Sequence, residues 1–163
     1  MKYFTNCRTL DDLKAEYRRL AKRHHPDLGG DKATMQAINA EYETAFEALK
    51  REHNATADEY HQTSETPADF INIISALLKI DGIEVELCGR WLWITGDTFT
   101  NREALKAAGC RWSSSKKKWY WHFKEENDRF SRGNKTMDSI RRKYGSQVFT
   151  ASGERSAFDQ LPA

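Results

Sequence analysis

Only three cysteines, at positions 7, 88 and 110, and three prolines stand among the 163 residues. Three thiols cannot all pair with one another, and none has the spacing of a zinc site, so neither a disulfide framework nor a bound metal is expected. Reduced thiols in a cytoplasmic setting are the simplest reading. Cys88 and Cys110 each adjoin a strand-like stretch and read as small core fillers. No apolar run approaches the ~20 residues that a membrane-spanning helix needs. Met1-Lys2-Tyr3 leads straight into foldable sequence, so no signal peptide is expected. A phosphate-cradling glycine-rich loop, a Ser/His/Asp arrangement and paired carboxylates in a plausible pocket are all missing. The expectation is a binding protein without a cofactor, rather than an enzyme.

Charge is abundant but uneven. Lysine and arginine number 26 against 24 acidic residues, a net of +2. Residues 51–81 hold two bases and six acids, whereas residues 110–144 hold eleven bases and four acids. An acidic middle therefore separates a basic N-terminal region from a basic C-terminal one.

Thr9, followed three residues later by Asp12, predicts a capped helix start. Leu10, Leu13, Tyr17, Leu20 and Ala21 share one helical face. Lys14, Arg18 and Lys22 form an i, i+4, i+8 row, and Arg19 and Arg23 extend the polar side. The helix is expected from Leu10 to His24, because Pro26 disfavours helical geometry at His25 and lacks a backbone donor. Leu28-Gly29-Gly30 then supplies a turn and Asp31 a cap. Met35, Ile38, Tyr42, Ala45, Phe46 and Leu49 mark a second helix reaching about Lys50 or beyond. Two such helices pack antiparallel, Leu13, Tyr17 and Leu20 against Ile38, Tyr42 and Phe46. Tyr3 and Phe4 are expected across the open side. Alone, the basic row reads as a solvated face; beside His25-Pro26-Asp27 it reads as a docking surface.

The run Tyr17-Arg18-Arg19-Leu20-Ala21-Lys22-Arg23-His24-His25-Pro26-Asp27, with Ile38-Asn39-Ala40-Glu41-Tyr42-Glu43 after it, resembles a J-domain over residues 2–50. That is the part of DnaJ-type (Hsp40) co-chaperones that engages Hsp70. The resemblance implies a DnaK-type Hsp70 partner whose ATPase this chain stimulates. It implies that His25, Pro26 and Asp27 form the essential loop and that Lys14, Arg18, Arg19 and Lys22 form the docking face. The sequence also departs from that family. The usual first helix shrinks to little more than Tyr3-Phe4, the fourth is not recognisable, and neither a Gly/Phe-rich stretch nor Cys-x-x-Cys repeats follow. The chain resembles a J-domain fused to something else.

Residues 51–66 read as helix extension or linker, with His53 and His61 on the surface. Thr66-Pro67 looks like the start of a helix bearing Phe70, Ile73, Ile74, Leu77 and Leu78. Ile83, Val85 and Leu87 alternate with Glu84 and Glu86 as in a half-buried strand. A second strand at Trp91 to Thr95, a short helix with Leu105 stopped by Gly109, and a hairpin of 110–113 and 118–123 complete an α-ββ-α-ββ domain over 67–124. The fold class is α+β, with a small antiparallel sheet and helices on one face. Residues 125–145 read as a loop and a short basic helix, and 146–163 as a disordered tail. The stretch from Leu105 to Trp112 with Lys116 to Trp121 is similar to a helix-Gly-hairpin module in proteins of phages, plasmids and other mobile elements. More distantly it resembles the HARP module of annealing helicases.

Arg111, Trp112, Lys116, Lys117, Lys118, Trp119, Tyr120 and Trp121, together with Arg141 and Arg142, are the candidate nucleic-acid- or target-binding residues. Exposed rings beside lysines suit single-stranded nucleic acid. Tryptophans also fill the cores of small sheets, and a protein-binding groove is the third reading. Three functions follow. One is an Hsp70 co-chaperone whose C-terminal domain selects a client or target. Another is a nucleic-acid-associated protein of a phage or mobile element, acting with a replication or mobilisation protein. The last is a viral-type protein that diverts a host Hsp70. No membrane partner is expected.

Overall fold

A computed structural model describes residues 1–58, 61–125, 135–150 and 153–156. Helix α1 (Leu10–His24) starts where the sequence places it: the Thr9 hydroxyl accepts from the Asp12 N–H, and the Asp12 carboxylate accepts from the Thr9 N–H. Helix α2 (Lys32–Thr56) is capped by Asp31, whose carboxylate accepts from the Thr34 N–H at 2.7 Å. Leu13, Tyr17, Ile38, Tyr42 and Phe46 are fully buried where the two helices pack. Full burial contributes about 1.5–3 kcal/mol for each large side chain. Phe4 is buried edge-on to Tyr42, with ring centroids 5.9 Å apart. The Glu41 carboxylate holds it there by accepting from the N–H groups of Tyr3 and Phe4.

The chain divides into two compact units, Met1–Lys79 with Glu125, and Ile80–Lys124 with the C-terminal segment. The boundary expected after residue 66 is therefore displaced. Helix α3 (Pro67–Leu78) belongs to the first unit and packs on both α1 and α2. Phe70 is the reason: its ring lies 6.1 Å from Tyr17 and stacks 6.3 Å from Tyr42. The expected linker is pinned as well. The Asn54 side chain donates to the Thr63 carbonyl and accepts from the Thr63 N–H, and the Lys50 ammonium donates to the Glu65 carbonyl. The buried Glu125 carboxylate accepts from the hydroxyls of Thr63 and Ser64 and from the Ser64 N–H.

The second unit is built on β1 (Ile83–Cys88), β2 (Trp91–Gly96), β3 (Arg111–Ser113), β4 (Lys118–His122), β5 (Gln147–Thr150) and β6 (Gly153–Ser156). They form one sheet in the order β3-β4-β2-β1-β5-β6, with every pairing antiparallel. The fold class is α+β. The tail expected to be disordered supplies β5 and β6, because Val148 and Phe149 are strand formers that pair along β1. Residues 126–134 of the expected loop lie outside the described residues.

Period-two alternation assigns the side chains to two faces. Leu92, Ile94 and Trp119 are buried on one face and share it with Ile83, Val85, Leu87 and Trp121. Trp91, Trp93, Tyr120, His122, Glu86 and Cys88 occupy the other. Helices do not keep to one face. Gly109, after α4 (Arg102–Ala107), abuts Trp121, whereas α5 (Met137–Tyr144) sends Arg141 to Glu86 across the sheet. Cys88 and Cys110 are core fillers: burial pushes their thiols up to about 12 and about 11, with the Glu86 carboxylate adding to the rise at Cys88.

Glu86 is buried, yet Arg141 grips it through Nε at 2.6 Å and Nη2 at 2.9 Å, and the Ser146 hydroxyl donates at 2.5 Å. Burial raises its affinity for a proton, but these donors outweigh it and hold the carboxyl below its ordinary value of 4.5. A carboxyl lower in the folded state stabilises fully above the unfolded value, and that contribution disappears as pH falls through the folded one. The Glu86→Gln variant should therefore be less stable at neutral pH and should lose less stability on acidification below about pH 4.3. Calorimetric unfolding across that range tests this; equal acid sensitivity in both proteins would remove Glu86 from the account.

Candidate docking site at the hairpin tip

Helix α1 ends at His24, and His25 takes extended backbone angles, as the following proline demands. Pro26–Leu28 then forms one 3-10 turn. The His25 carbonyl accepts from the N–H groups of both Leu28 and Gly30, at 3.0 and 2.9 Å. The His25 ring is 7% exposed, and its Nδ1 accepts from the Asp27 N–H at 3.2 Å. That bond uses the Nδ1 lone pair, so the 3.8 Å approach of the Asp27 carboxylate to the same atom is proximity rather than a second bond. Histidine thus shapes the loop from inside, while Pro26, Asp27 and Leu28 face solvent.

Two glycines make the turn feasible. Gly29 has φ of +86°, in the left-handed region. A Cβ on Gly30 would fall 2.1 Å from the His24 carbonyl carbon. Gly30→Ala should therefore open the tip although it touches no docking side chain. The expected signature is faster amide hydrogen exchange over residues 25–31 with the rest of α1 still protected; unchanged exchange there would contradict this account.

The Lys79 ammonium, just beyond α3, lies 3.6 Å from the Asp27 carboxylate. Their side chains are 60% and 53% exposed. A pair so hydrated contributes about 0–1 kcal/mol. An incoming partner can displace Lys79 at little cost.

The basic row does not survive as a surface. Lys14 and Arg18 are 3% and 2% exposed. The Lys14 ammonium donates to the Glu65 carboxylate at 2.5 Å and sits 5.3 Å from the Phe70 ring centroid. The expectation that they face a partner is corrected, for a physical reason. Two helices pack on α1 rather than one, so the buried stripe widens to include the neighbouring i, i+4 row. Arg19 and Arg23 are exposed and Lys22 is half-buried. Arg19 pairs with Glu16 one turn back. The remaining basic surface, Arg19, Lys22 and Arg23, lies on the last turns leading into the loop. Arg23, on the polar side of the helix, joins it by position.

In the second unit the candidates scatter. Trp119 is buried, Trp121 half-buried and Trp112 51% exposed on the face opposite Tyr120 and Arg111. Trp112 meets Trp119 edge-on at 5.9 Å. Lys116 donates to the Lys135 carbonyl, Lys117 is the one described non-glycine residue with positive φ, and Lys118 pairs with Ser113. Arg141 is committed to Glu86, and Arg142 is exposed. Sequence reasoning missed Trp91, Trp93 and His122, which stack beside Tyr120. The signal was present as Trp-x-Trp and Tyr-x-His, rings at period two on strands that prove to be neighbours. Among the described residues no group of His, Cys, Asp and Glu side chains could hold a metal ion, and no helix is long and apolar enough to cross a membrane.

Comparison with known proteins yields one partial likeness. The chain is 37% identical over 57 residues to the small t antigen of Budgerigar fledgling disease virus, a match covering 35% of this chain and 37% of that protein. No family model matches, and no solved structure does.

Proposed function

We propose that this protein is a J-domain co-chaperone that docks on an Hsp70 in the cytoplasm and stimulates its ATPase. The observation that carries the reading is the tip: a buried histidine braces a 3-10 turn that exposes Asp27 directly after the helical turns bearing Arg19, Lys22 and Arg23. Arg19, Lys22 and Arg23 would steer an acidic surface toward the loop, raising the association rate. Asp27 would then make the specific contact. Partial likeness to a viral small t antigen supports the J-domain reading. The reading gives this chain no catalysis of its own; ATP hydrolysis belongs to the partner. The second unit serves as adaptor for a client or target. Single-turnover ATP hydrolysis by a DnaK-type Hsp70, with and without the chain, tests the proposal. Stimulation that persists with both His25→Gln and Asp27→Asn would reject it.

A further inference from the structure

We propose that the sheet face bearing Trp91, Trp93, Tyr120 and His122 binds single-stranded nucleic acid, with bases stacking on these rings and phosphates meeting Arg111, Lys118 and Lys124. The inference is independent of the hairpin tip; its surface shares Arg111, Lys118 and Tyr120 with the candidates read from the sequence and replaces Trp112, Trp119 and Trp121, on the opposite face, with Trp91, Trp93 and His122.

The rings form one continuous cluster. Trp91 lies 3.9 Å from His122, 5.3 Å from Tyr120 and 5.6 Å from Trp93, to which it is nearly parallel. Trp93 is 5.7 Å from Tyr120, and Tyr120 stacks on His122 at 6.0 Å. Trp93 is the base of the cluster, 5% exposed, and its indole N–H has no acceptor among the described residues. Trp91, Tyr120 and His122 are only half-buried and so retain accessible ring surface. The larger apolar core of this unit lies on the other face, with Leu92, Ile94 and Trp119; on this face Trp93 and Cys88 are buried, and the three outer rings extend past them.

Charge selects the occupant. Residues 110–124 contain Arg111, Lys116, Lys117, Lys118 and Lys124 and no acid. Arg111 is paired in register with Tyr120 and Lys118 with Ser113, so both cations point to the aromatic face. Arg111 and Lys124 also line a cleft with Tyr120 and His122, closed on its other side by Gly109 and Trp121. The buried acid on this face, Glu86, is neutralised by Arg141; the other, Glu84, stands on β1, beyond β2 and β4 from Arg111. Neighbouring strands are about 4.8 Å apart, so rings on β2 and β4 and a cation on β3 step across the sheet at that interval. Flat rings beside cations match a polymer that alternates flat bases with phosphates. An acidic peptide would match the charge and leave the rings unused.

Fluorescence anisotropy of a labelled oligothymidylate of about 20 nucleotides, longer than the ~4–16 that one small β-fold covers, tests this with the full chain. Tyr120→Leu and Arg111→Glu should each weaken binding about tenfold. Arg111→Glu should also reduce the slope of log affinity against log salt by about 0.7. Trp112→Ala, on the opposite face, should change neither. Arg111 is exposed, so its variant reports contact rather than folding. Absence of binding at about 50 mM salt would overturn the proposal. So would a duplex of equal length bound as tightly, or a loss with Trp112→Ala equal to that with Arg111→Glu.

Discussion

Asp27→Asn should cut the stimulation of Hsp70 ATP hydrolysis about ten- to hundredfold while the chain keeps its fold. The range follows from losing one hydrogen bond to a charged group, about 1.5–3 kcal/mol. Asp27 is more than half exposed and its ion pair with Lys79 is hydrated, so the substitution spares the folded state. His25→Gln should be equally inactive by another route. The buried ring accepts the Asp27 N–H, and a longer, flexible amide holds that turn less firmly. The two variants separate the causes: the Gln variant should show faster amide exchange at the tip and the Asn variant should not. Reversing Arg19, Lys22 and Arg23 to Glu should slow association and steepen no other step, an effect that fades with added salt. Full stimulation by the Asp27→Asn variant at saturating concentration would sink the docking role of the loop.

The second large effect concerns stability. Glu65→Ala should destabilise the N-terminal unit by about 3–5 kcal/mol, because it leaves the Lys14 ammonium buried without its counterion. Lys14 is 3% exposed and Glu65 2%. Native stabilities are only about 5–15 kcal/mol, so the loss is a large share of the total. Replacing both partners, Lys14→Met with Glu65→Leu, should restore much of it, since paired apolar substitutes often match or exceed a buried ion pair. Urea denaturation of the single and double variants decides the matter. An additive double variant would show that the pair is not coupled. By the same argument, residues 1–50 alone should not fold stably, for Phe70 and Glu65 would be missing from the face of α1 that needs them.

Several features of this chain were legible because they are local. The Thr9 and Asp31 caps, the stop at Pro26 and the glycines of the tip each depend on residues within a few positions of one another, whereas the half-buried alternation expected of β1 does not hold, since Glu86 is buried under Arg141 from a distant helix. The basic row failed as a docking face for the opposite reason. Whether Lys14 and Arg18 meet water or are covered depends on a segment some fifty residues further on, and i, i+4 spacing cannot distinguish a solvated row from one covered by a second helix. The tail was misread similarly: a four-residue strand is too short to declare itself until β1 offers it an edge. Trp91 and Trp93 were visible as strand residues, but their approach to Tyr120 and His122 required the order β4-β2.

The sequence by itself determined the helical hairpin, its loop and the α+β class, since capping, proline and period are encoded within a turn or a strand. Tertiary structure alone decided which cations reach solvent, which rings share a face, and to which unit α3 belongs. Those are properties of pairs far apart along the chain, and burial is conferred by the partner, not by the residue.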